Sequence, residues 1–351
     1  MNRTRTVTRR RNWGVGLASS LAVLTLAACG SSSSTAASSS TPTSSASSTT
    51  STATTAISLG LTLPTADYTP VYVAQQEGFF KQHHLKVSFD SFTGGGSTVA
   101  AALASNSVQI VLGGIDLLAP DAKGEIHVKF FSELSGFAYA IYASKGITSA
   151  SQLVGKKVGT SSLSSLEYIY WHIALKSLGI NPSSVHYVIV SGGSPKFAAL
   201  ETGAVNAVID LPVSAPPGAS KYLLVSPSKL PQVPVALFAA NDSFISAHPQ
   251  AMKDFTDAIN EAVAWLKVHP NSASKICQSS IDLKPSQCVM ANYYKHPGNL
   301  TASPYDWSKT GAVDVKALTD LLPAVAAVDP AVSKLTVKDI LTTQFTGTSP
   351  S

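Results

Sequence analysis

The sequence predicts an α/β fold built as two lobes, and three observations carry that prediction. Short apolar runs alternate with amphipathic stretches from Ile57 to Ile209, the pattern of sheets flanked by helices. A glycine turn, an alanine-rich helix and a valine-bearing strand recur with identical spacing in the two halves of that region. The roughly 290 residues from Ile57 onward suffice for two cores.

A leader precedes the body. Arg3, Arg5, Arg9, Arg10 and Arg11 form a basic front, and the apolar run Gly14–Ala28 that follows is shorter than a bilayer crossing needs. Residues 1–28 are therefore expected to be a signal peptide. The leader ends in Leu26-Ala27-Ala28-Cys29-Gly30, which resembles the lipobox of bacterial lipoproteins. In that family the chain is cut before the cysteine and its thiol carries diacylglycerol, so the resemblance implies lipidation at Cys29. Asn12-Trp13 fits a twin-arginine signal poorly, which favours general secretion. Residues 29–56 follow, rich in Ser and Thr, without charge and without large side chains. Such a segment cannot offset its own ordering entropy and reads as a disordered tether.

Removing the leader changes the charge balance. The formal net charge of +5 equals the five leader arginines, and no arginine follows Arg11. The body keeps 20 lysines against 20 acidic residues, so nothing electrostatic favours nucleic acid or an acidic surface. Cys277 and Cys288 are the cysteines left besides Cys29. In an exported domain they predict a local disulfide, and they lack CxxC spacing.

Strands are expected at Ile57–Leu63, Lys86–Phe92, Val108–Leu112 and His127–Ser132, each an apolar or alternating run. Helices are expected between them at Val71–Glu77, stopped by Gly78, and at Ser97–Ser105 and Leu117–Lys123. The alternation resumes with strand Lys157–Gly159, helix Ser164–Leu178 ended by Gly179, strand Val185–Val190, helix Pro195–Thr202 and strand Val205–Ile209. It implies mostly parallel sheets. Beyond Asn241 the pattern is helical, at Pro249–Val268, Asn271–Ser279, Pro285–Tyr294 and Val313–Leu322.

The internal repeat, unless a coincidence of small residues, points to where a ligand would bind. Gly95-Gly96-Ser97 is followed after three residues by Ala101-Ala102-Leu103, then by Val108 and Val111. Gly192-Gly193-Ser194 is followed with the same spacing by Ala198-Ala199-Leu200, Val205 and Val208. A phosphate-binding P-loop needs a lysine after its last glycine. Here Ser97 and Thr98 follow, and the next lysine is Lys123, which excludes nucleotide hydrolysis. Bare backbone N–H groups at a helix start still make a socket for an anion or a dipole. Open α/β sheets bind ligands at the carboxyl ends of their strands, where these turns lie.

The stretches Tyr68–Ala74, Glu77–Phe80, Phe92–Leu103, Gly113-Gly114, Ile147-Thr148, Leu153–Gly159 and Ala199–Ala207 together resemble the solute-binding proteins of ABC importers. The similar branch is the nitrate/sulfonate/taurine group, whose relatives bind thiamine-precursor pyrimidines and riboflavin. The resemblance implies a periplasmic-binding-protein-like clamshell of type II, each lobe a mixed sheet flanked by helices. Lobe one would span 57–144 plus 235–345, and lobe two 145–234. Its pocket residues would be Asp67, Tyr68, Gly96, Ser97, Thr98, Gly114, Ile115, Ser161, Ser162 and Asp210. Ser161–Ser165 also reads as an ordinary helix N-cap, which is compatible with binding. The family pattern G-x-I/V-D is altered twice: Gln109 and Asn206 stand where an aspartate is usual.

The resemblance implies further expectations: a monomer on the outer face of the cytoplasmic membrane, delivering a small-molecule solute to a permease and ATPase complex. No metal, cofactor or catalytic site is expected, because the eight histidines form no HxxxH pair and no GxSxG elbow occurs. The alternatives are an enzyme of this fold acting on a pyrimidine precursor, and a transporter-independent lipoprotein sensor. Without arginine, no bidentate clamp is available for a carboxylate. A sulfonate or nitrate would rest on backbone N–H groups at Gly96–Thr98 and Ser161-Ser162. A heterocycle would instead stack on Tyr68, Phe92, Phe137, Tyr139 or Trp171 and donate to Asp67, Asp116 or Asp210.

Overall fold

The structure is a computed structural model that describes residues 53–61, 65–92, 96–163, 165–190, 193–212, 215–281, 283, 285–290 and 305–346. The leader, Cys29 and the tether up to residue 52 lie outside the described residues. Among the described residues, two sheets form the body. The first has six strands in the order β11-β4-β10-β3-β1-β2: β1 (Thr55–Leu61), β2 (Leu85–Ser91), β3 (Ile110–Gly113), β4 (Val128–Phe137), β10 (Val233–Asn241) and β11 (Tyr305–Trp307). The second has five in the order β7-β6-β8-β5-β9: β5 (Ala140–Ala143), β6 (Lys157–Thr160), β7 (His186–Ile189), β8 (Ala207–Asp210) and β9 (Leu223–Val225).

Helices flank both sheets, so the fold is the expected two-lobed α/β clamshell of mixed sheets. In chain order they are α1 (Thr69–Gln76), α2 (Phe79–Gln82), α3 (Gly96–Ala104), α4 (Leu118–Ala122), α5 (Leu166–Ser177), α6 (Gly193–Glu201), α7 (Asp242–Ala247), α8 (Pro249–Val268), α9 (Pro270–Ser280), α10 (Val315–Ala326) and α11 (Val337–Ile340). The longest, α8, buries Met252, Phe255, Ile259, Val263 and Leu266, an apolar stripe at three- and four-residue spacing. Phe255 stacks on Phe80 at 5.4 Å and meets Phe238 edge-on at 5.0 Å, which fixes α8 against the first sheet.

Several expectations are corrected. Thr55 and Ala56 belong to β1 rather than the tether, because they pair with Leu85 and Lys86. The sheets are less parallel than expected: β10 runs antiparallel to β3 and β4, and β5 antiparallel to β8 and β9. The chain enters the second sheet at Ala140, since β5 pairs there, a few residues before the boundary drawn at 144. The helix expected over Pro285–Tyr294 is only a 3-10 turn at Pro285–Gln287 within the described residues. There Cys288 is bonded to Cys277, and the Met290 N–H goes to Ser274 Oγ at 2.9 Å instead of a helical carbonyl.

The repeat is visible in three dimensions. In lobe one, β1 lies between β2 and β3, parallel to both; in lobe two, β6 lies likewise between β7 and β8. A side chain at Gly60 of β1 would meet Val111 at 3.0 Å and Val108 at 3.5 Å; one at Gly159 of β6 would meet Val208 at 3.1 Å and Val205 at 3.8 Å. The four valines of the spacing pattern thus close over a glycine in each central strand. The two altered positions also correspond. Gln109 accepts the N–H of Ser58 at 2.8 Å, and Asn206 that of Lys157 at 3.0 Å, each donor two residues before its strand glycine. An amide oxygen therefore takes an N–H of the central strand at the position where the family pattern has a carboxylate.

Candidate functional site

Nine of the ten candidate residues follow the carboxyl ends of parallel strands, and Asp210 is the last residue of one. In lobe one, β1 leads to Asp67 and Tyr68, β2 is followed by Gly96, Ser97 and Thr98 at the start of α3, and β3 by Gly114 and Ile115; the rest of the expected glycine turns, residues 93–95 and 191–192, lies outside the described residues. In lobe two, β6 leads to Ser161 and Ser162, while Asp210 ends β8. Parallel strands place these ends on one edge of each sheet.

On lobe one, Asp67 is buried at 4% exposure. Its carboxylate accepts a short hydrogen bond from the Thr65 hydroxyl and one from Ser135 Oγ at 3.2 Å. Its carbonyl accepts the Trp307 indole N–H at 2.8 Å, so the turn is tied to β4 and β11. Burial raises the Asp67 pKa, and the Thr65 and Ser135 hydrogen bonds oppose that rise. Tyr68 is buried and donates from its hydroxyl to the Leu112 carbonyl at 3.4 Å, joining the β1 turn to the end of β3. Gly114 must be glycine, because a Cβ there would lie 2.5 Å from the Val235 carbonyl oxygen. The Asp116 carboxylate accepts the Gly114 N–H at 2.9 Å, while Thr98 is exposed and Ile115 packs half-buried on the core.

Lobe two holds a buried charged cluster that sequence reasoning missed. Lys196 of α6 is 2% exposed and lies 2.5 Å from Glu167 of α5 and 3.8 Å from Asp210 of β8. The other Glu167 oxygen accepts the Ser161 N–H at 3.0 Å. Glu167 thus bridges the lysine to the loop after β6. Asp210 Oδ1 accepts the Leu211 N–H at 2.8 Å. Ser165 caps α5 by accepting the Tyr168 N–H at 3.2 Å, and donates to the Ser162 carbonyl at 2.8 Å. The capping role falls to Ser165, leaving Ser161 and Ser162 on the preceding loop. The signal for Lys196 lay in the repeat: it occupies the place of Val99, which is fully buried in the first module.

The chain crosses between the lobes beside this cluster. Tyr139, between β4 and β5, packs edge-on against Phe137 and Tyr170, each at 4.9 Å. Burial, then the charges of Glu167 and Asp210, hold its hydroxyl well above the usual range. Tyr170 donates to the Pro231 carbonyl at 2.8 Å on the return crossing. Trp171 is removed from the set of stacking aromatics: it is fully buried and its indole N–H is spent on the Gly159 carbonyl at 3.0 Å.

Asp210 is a titration probe of this wall. Burial raises its pKa, with Lys196 and the Leu211 N–H opposing. A carboxyl whose folded pKa lies above its unfolded value penalises the folded state once ionised. That penalty is full above the folded pKa and vanishes below the unfolded value of 3.8. Asp210→Asn, which keeps an acceptor for Leu211, is expected to raise Tm at pH 7. The gain should shrink as pH falls through the raised pKa, as measured by thermal melts from pH 7 to pH 4. A gain that grew on acidification would contradict the assignment.

The fold and the paired strand ends define an α/β clamshell with a candidate site between two lobes. The chain belongs to the NMT1/THI5-like family, whose model matches residues 65–273. Among solved structures, it is similar to the periplasmic aliphatic sulphonate binding protein SsuA from Escherichia coli, at 16% identity and a TM-score of 0.61, covering 82% of this chain and 92% of that one. It is similar to the periplasmic nitrate-binding protein NrtA from Synechocystis PCC 6803, at 14% identity and a TM-score of 0.54, covering 83% and 92%. It also resembles the desulfurization enzyme DSZB, at 13% identity and a TM-score of 0.51, covering 83% and 97%. No curated protein matches the sequence. At these identities the likeness carries the fold.

Proposed function

We propose that the protein is the solute-binding lipoprotein of an ABC importer, held at the outer face of the cytoplasmic membrane by a lipid on Cys29. It takes a small sulfonate- or nitrate-like anion or a small heterocycle between its lobes and delivers it, as a monomer, to a permease and ATPase complex. The observation that carries this reading is the duplicated module. Two lobes each present a helix that opens on a glycine, Gly96 in one and Gly193 in the other, and the carboxyl ends of parallel strands, the arrangement that suits a ligand gripped from both sides. The solute would touch Asp67, Tyr68, Gly96–Thr98, Gly114 and Ile115 on one lobe and Ser161, Ser162 and Asp210 on the other. Sulfonate- and nitrate-binding proteins among the structural neighbours support the class.

Moving the lobes from 1:99 to 99:1 closed takes roughly 5.5 kcal/mol of differential affinity. Small-angle scattering of the purified protein, titrated with ethanesulfonate, nitrate and benzamidine, is expected to show contraction with at least one of them. A probe that saturates the protein without contraction would argue against closure. For location, Cys29→Ala is expected to leave the protein unprocessed or free of the membrane in fractionated cells. Retention on the membrane with cleavage at the same bond would refute the anchor.

A further inference from the structure

We infer that Trp307 is a positioning residue for the solute, acting through the Asp67–Tyr68 turn of lobe one. Its indole N–H, delivered by β11, fixes the backbone of that turn and so sets how tightly the lobe takes the solute. This rests on the solute-binding reading. It adds a residue outside the ten candidates and outside the stretch 65–273 that matches the family model.

Ties from three directions converge on Asp67. Its carboxylate accepts the Thr65 hydroxyl and Ser135 Oγ, and its carbonyl accepts the Trp307 indole N–H. Ser135 and Trp307 stand directly opposite each other in the β4–β11 ladder, so one cross-strand pair holds the turn both by its side chain and by its backbone. The Trp307 ring is 2% exposed and shares a core with Ala66, Tyr68 and Leu134. Its own place is fixed by the segment that follows. Ser308 donates its N–H to the Leu134 carbonyl at 2.9 Å, Glu133 its N–H to the Gly311 carbonyl at 2.8 Å, and Asp314 its N–H to Glu133 Oε2 at 3.0 Å. Residues 307–314 are thereby laid along β4, so closely that a Cβ at Gly311 would lie 2.4 Å from Ser132 Oγ. A turn held in this way is ordered before the solute arrives, whereas ordering it during binding would lower the affinity. Without the indole donor the buried Asp67 carbonyl is left unsatisfied. The turn would relieve that by shifting toward water, away from the position in which the Tyr68 hydroxyl reaches the Leu112 carbonyl.

Amide hydrogen exchange and calorimetry of the purified protein test this together. The Tyr68 N–H donates to the Thr65 carbonyl at 3.0 Å, so its exchange reports whether the turn holds. Trp307→Phe keeps an aromatic ring without the donor, and Ser135→Ala removes the carboxylate's partner on β4. Each is expected to speed exchange at Tyr68 by about tenfold or more relative to the amides of α8. Trp171→Phe removes a buried indole tie on lobe two, to the Gly159 carbonyl, and should leave the Tyr68 amide as it is. In titrations with ethanesulfonate, nitrate and benzamidine, a probe that the wild-type protein binds should bind Trp307→Phe at least about tenfold more weakly. That probe should also shift the Trp307 indole N–H resonance, identified by its loss in Trp307→Phe, which a residue that merely fills the core would not do. Exchange at Tyr68 that is unchanged, or that rises only in step with α8, overturns the inference. So does unaltered probe affinity in Trp307→Phe, or an indole resonance that a bound probe leaves in place. If the wild-type protein binds none of the three, the solute-binding reading fails, and exchange at Tyr68 alone decides whether Trp307 holds the turn.

Discussion

Replacing Lys196 with methionine is expected to lower the unfolding free energy at pH 7 by about 3–5 kcal/mol, the cost of stranding a buried charge. Lys196 is 2% exposed, Asp210 7% and Glu167 17% over their side chains, so water screens this cluster poorly. Methionine fills nearly the same length, which makes lost charge the dominant effect. Two carboxylates would then share the space around the missing ammonium, and one would take up a proton. The loss should therefore be greatest at neutral and alkaline pH and shrink on acidification. Urea unfolding at pH 7 and pH 5 reads both features. Lys316→Met serves as the comparison, because Lys316 pairs with Asp320 on an exposed helix face, where an ion pair contributes little. Equal losses for the two variants would show that the buried cluster is open to solvent.

That cluster marks the boundary of what the sequence discloses. Charged residues in a helix normally lie on its solvated face, and nothing local in Ser194-Pro195-Lys196 says otherwise. Only the comparison with Val99, one module earlier, reveals that Lys196 occupies a core position. The repeat itself was legible because it is made of short-range constraints. Small residues admit close helix packing, and the valines close over Gly60 and Gly159. The substitutions at Gln109 and Asn206 were legible as departures, and their matched hydrogen bonds to Ser58 and Lys157 supply the meaning.

The missed strands were illegible for a different reason. β10 contains Pro234 and three alanines, poor strand formers by propensity. It is a strand because the chain returns between β3 and β4, and Pro234 sits beside a register irregularity where a missing N–H costs least. β5 and β9 are short and owe their form to neighbours far along the chain. Among the candidate ligand residues, the strand-end positions followed from topology. Trp171 was misread because its partner, the Gly159 carbonyl, is supplied by tertiary packing.

Loss of the disulfide between Cys277 and Cys288 is expected to cost roughly 2.5–3 kcal/mol, from the loop entropy of a short closed ring. The bond joins α9 to the turn after Pro285 across a separation of 11 residues, and both cysteines are fully buried. The turn is also tied by backbone donors: Cys288 donates its N–H to the Pro285 carbonyl at 3.1 Å, and Met290 donates to Ser274 Oγ at 2.9 Å. The helix is held separately, with Ile276 and Ala273 in the core and Gln76 donating to Ser280 Oγ at 2.8 Å. Opening the bond should therefore loosen the segment after Ile281 before it disturbs α8. Guanidinium unfolding with and without dithiothreitol is expected to show the loss in the wild-type protein. The Cys277→Ala/Cys288→Ala variant should start destabilised and ignore the reductant. Amide exchange should rise first between residues 283 and 290. If the unfolded, unreduced protein titrates two thiols besides Cys29, the bond does not form, and the turn must be held by Ser274 and the buried Met290 instead.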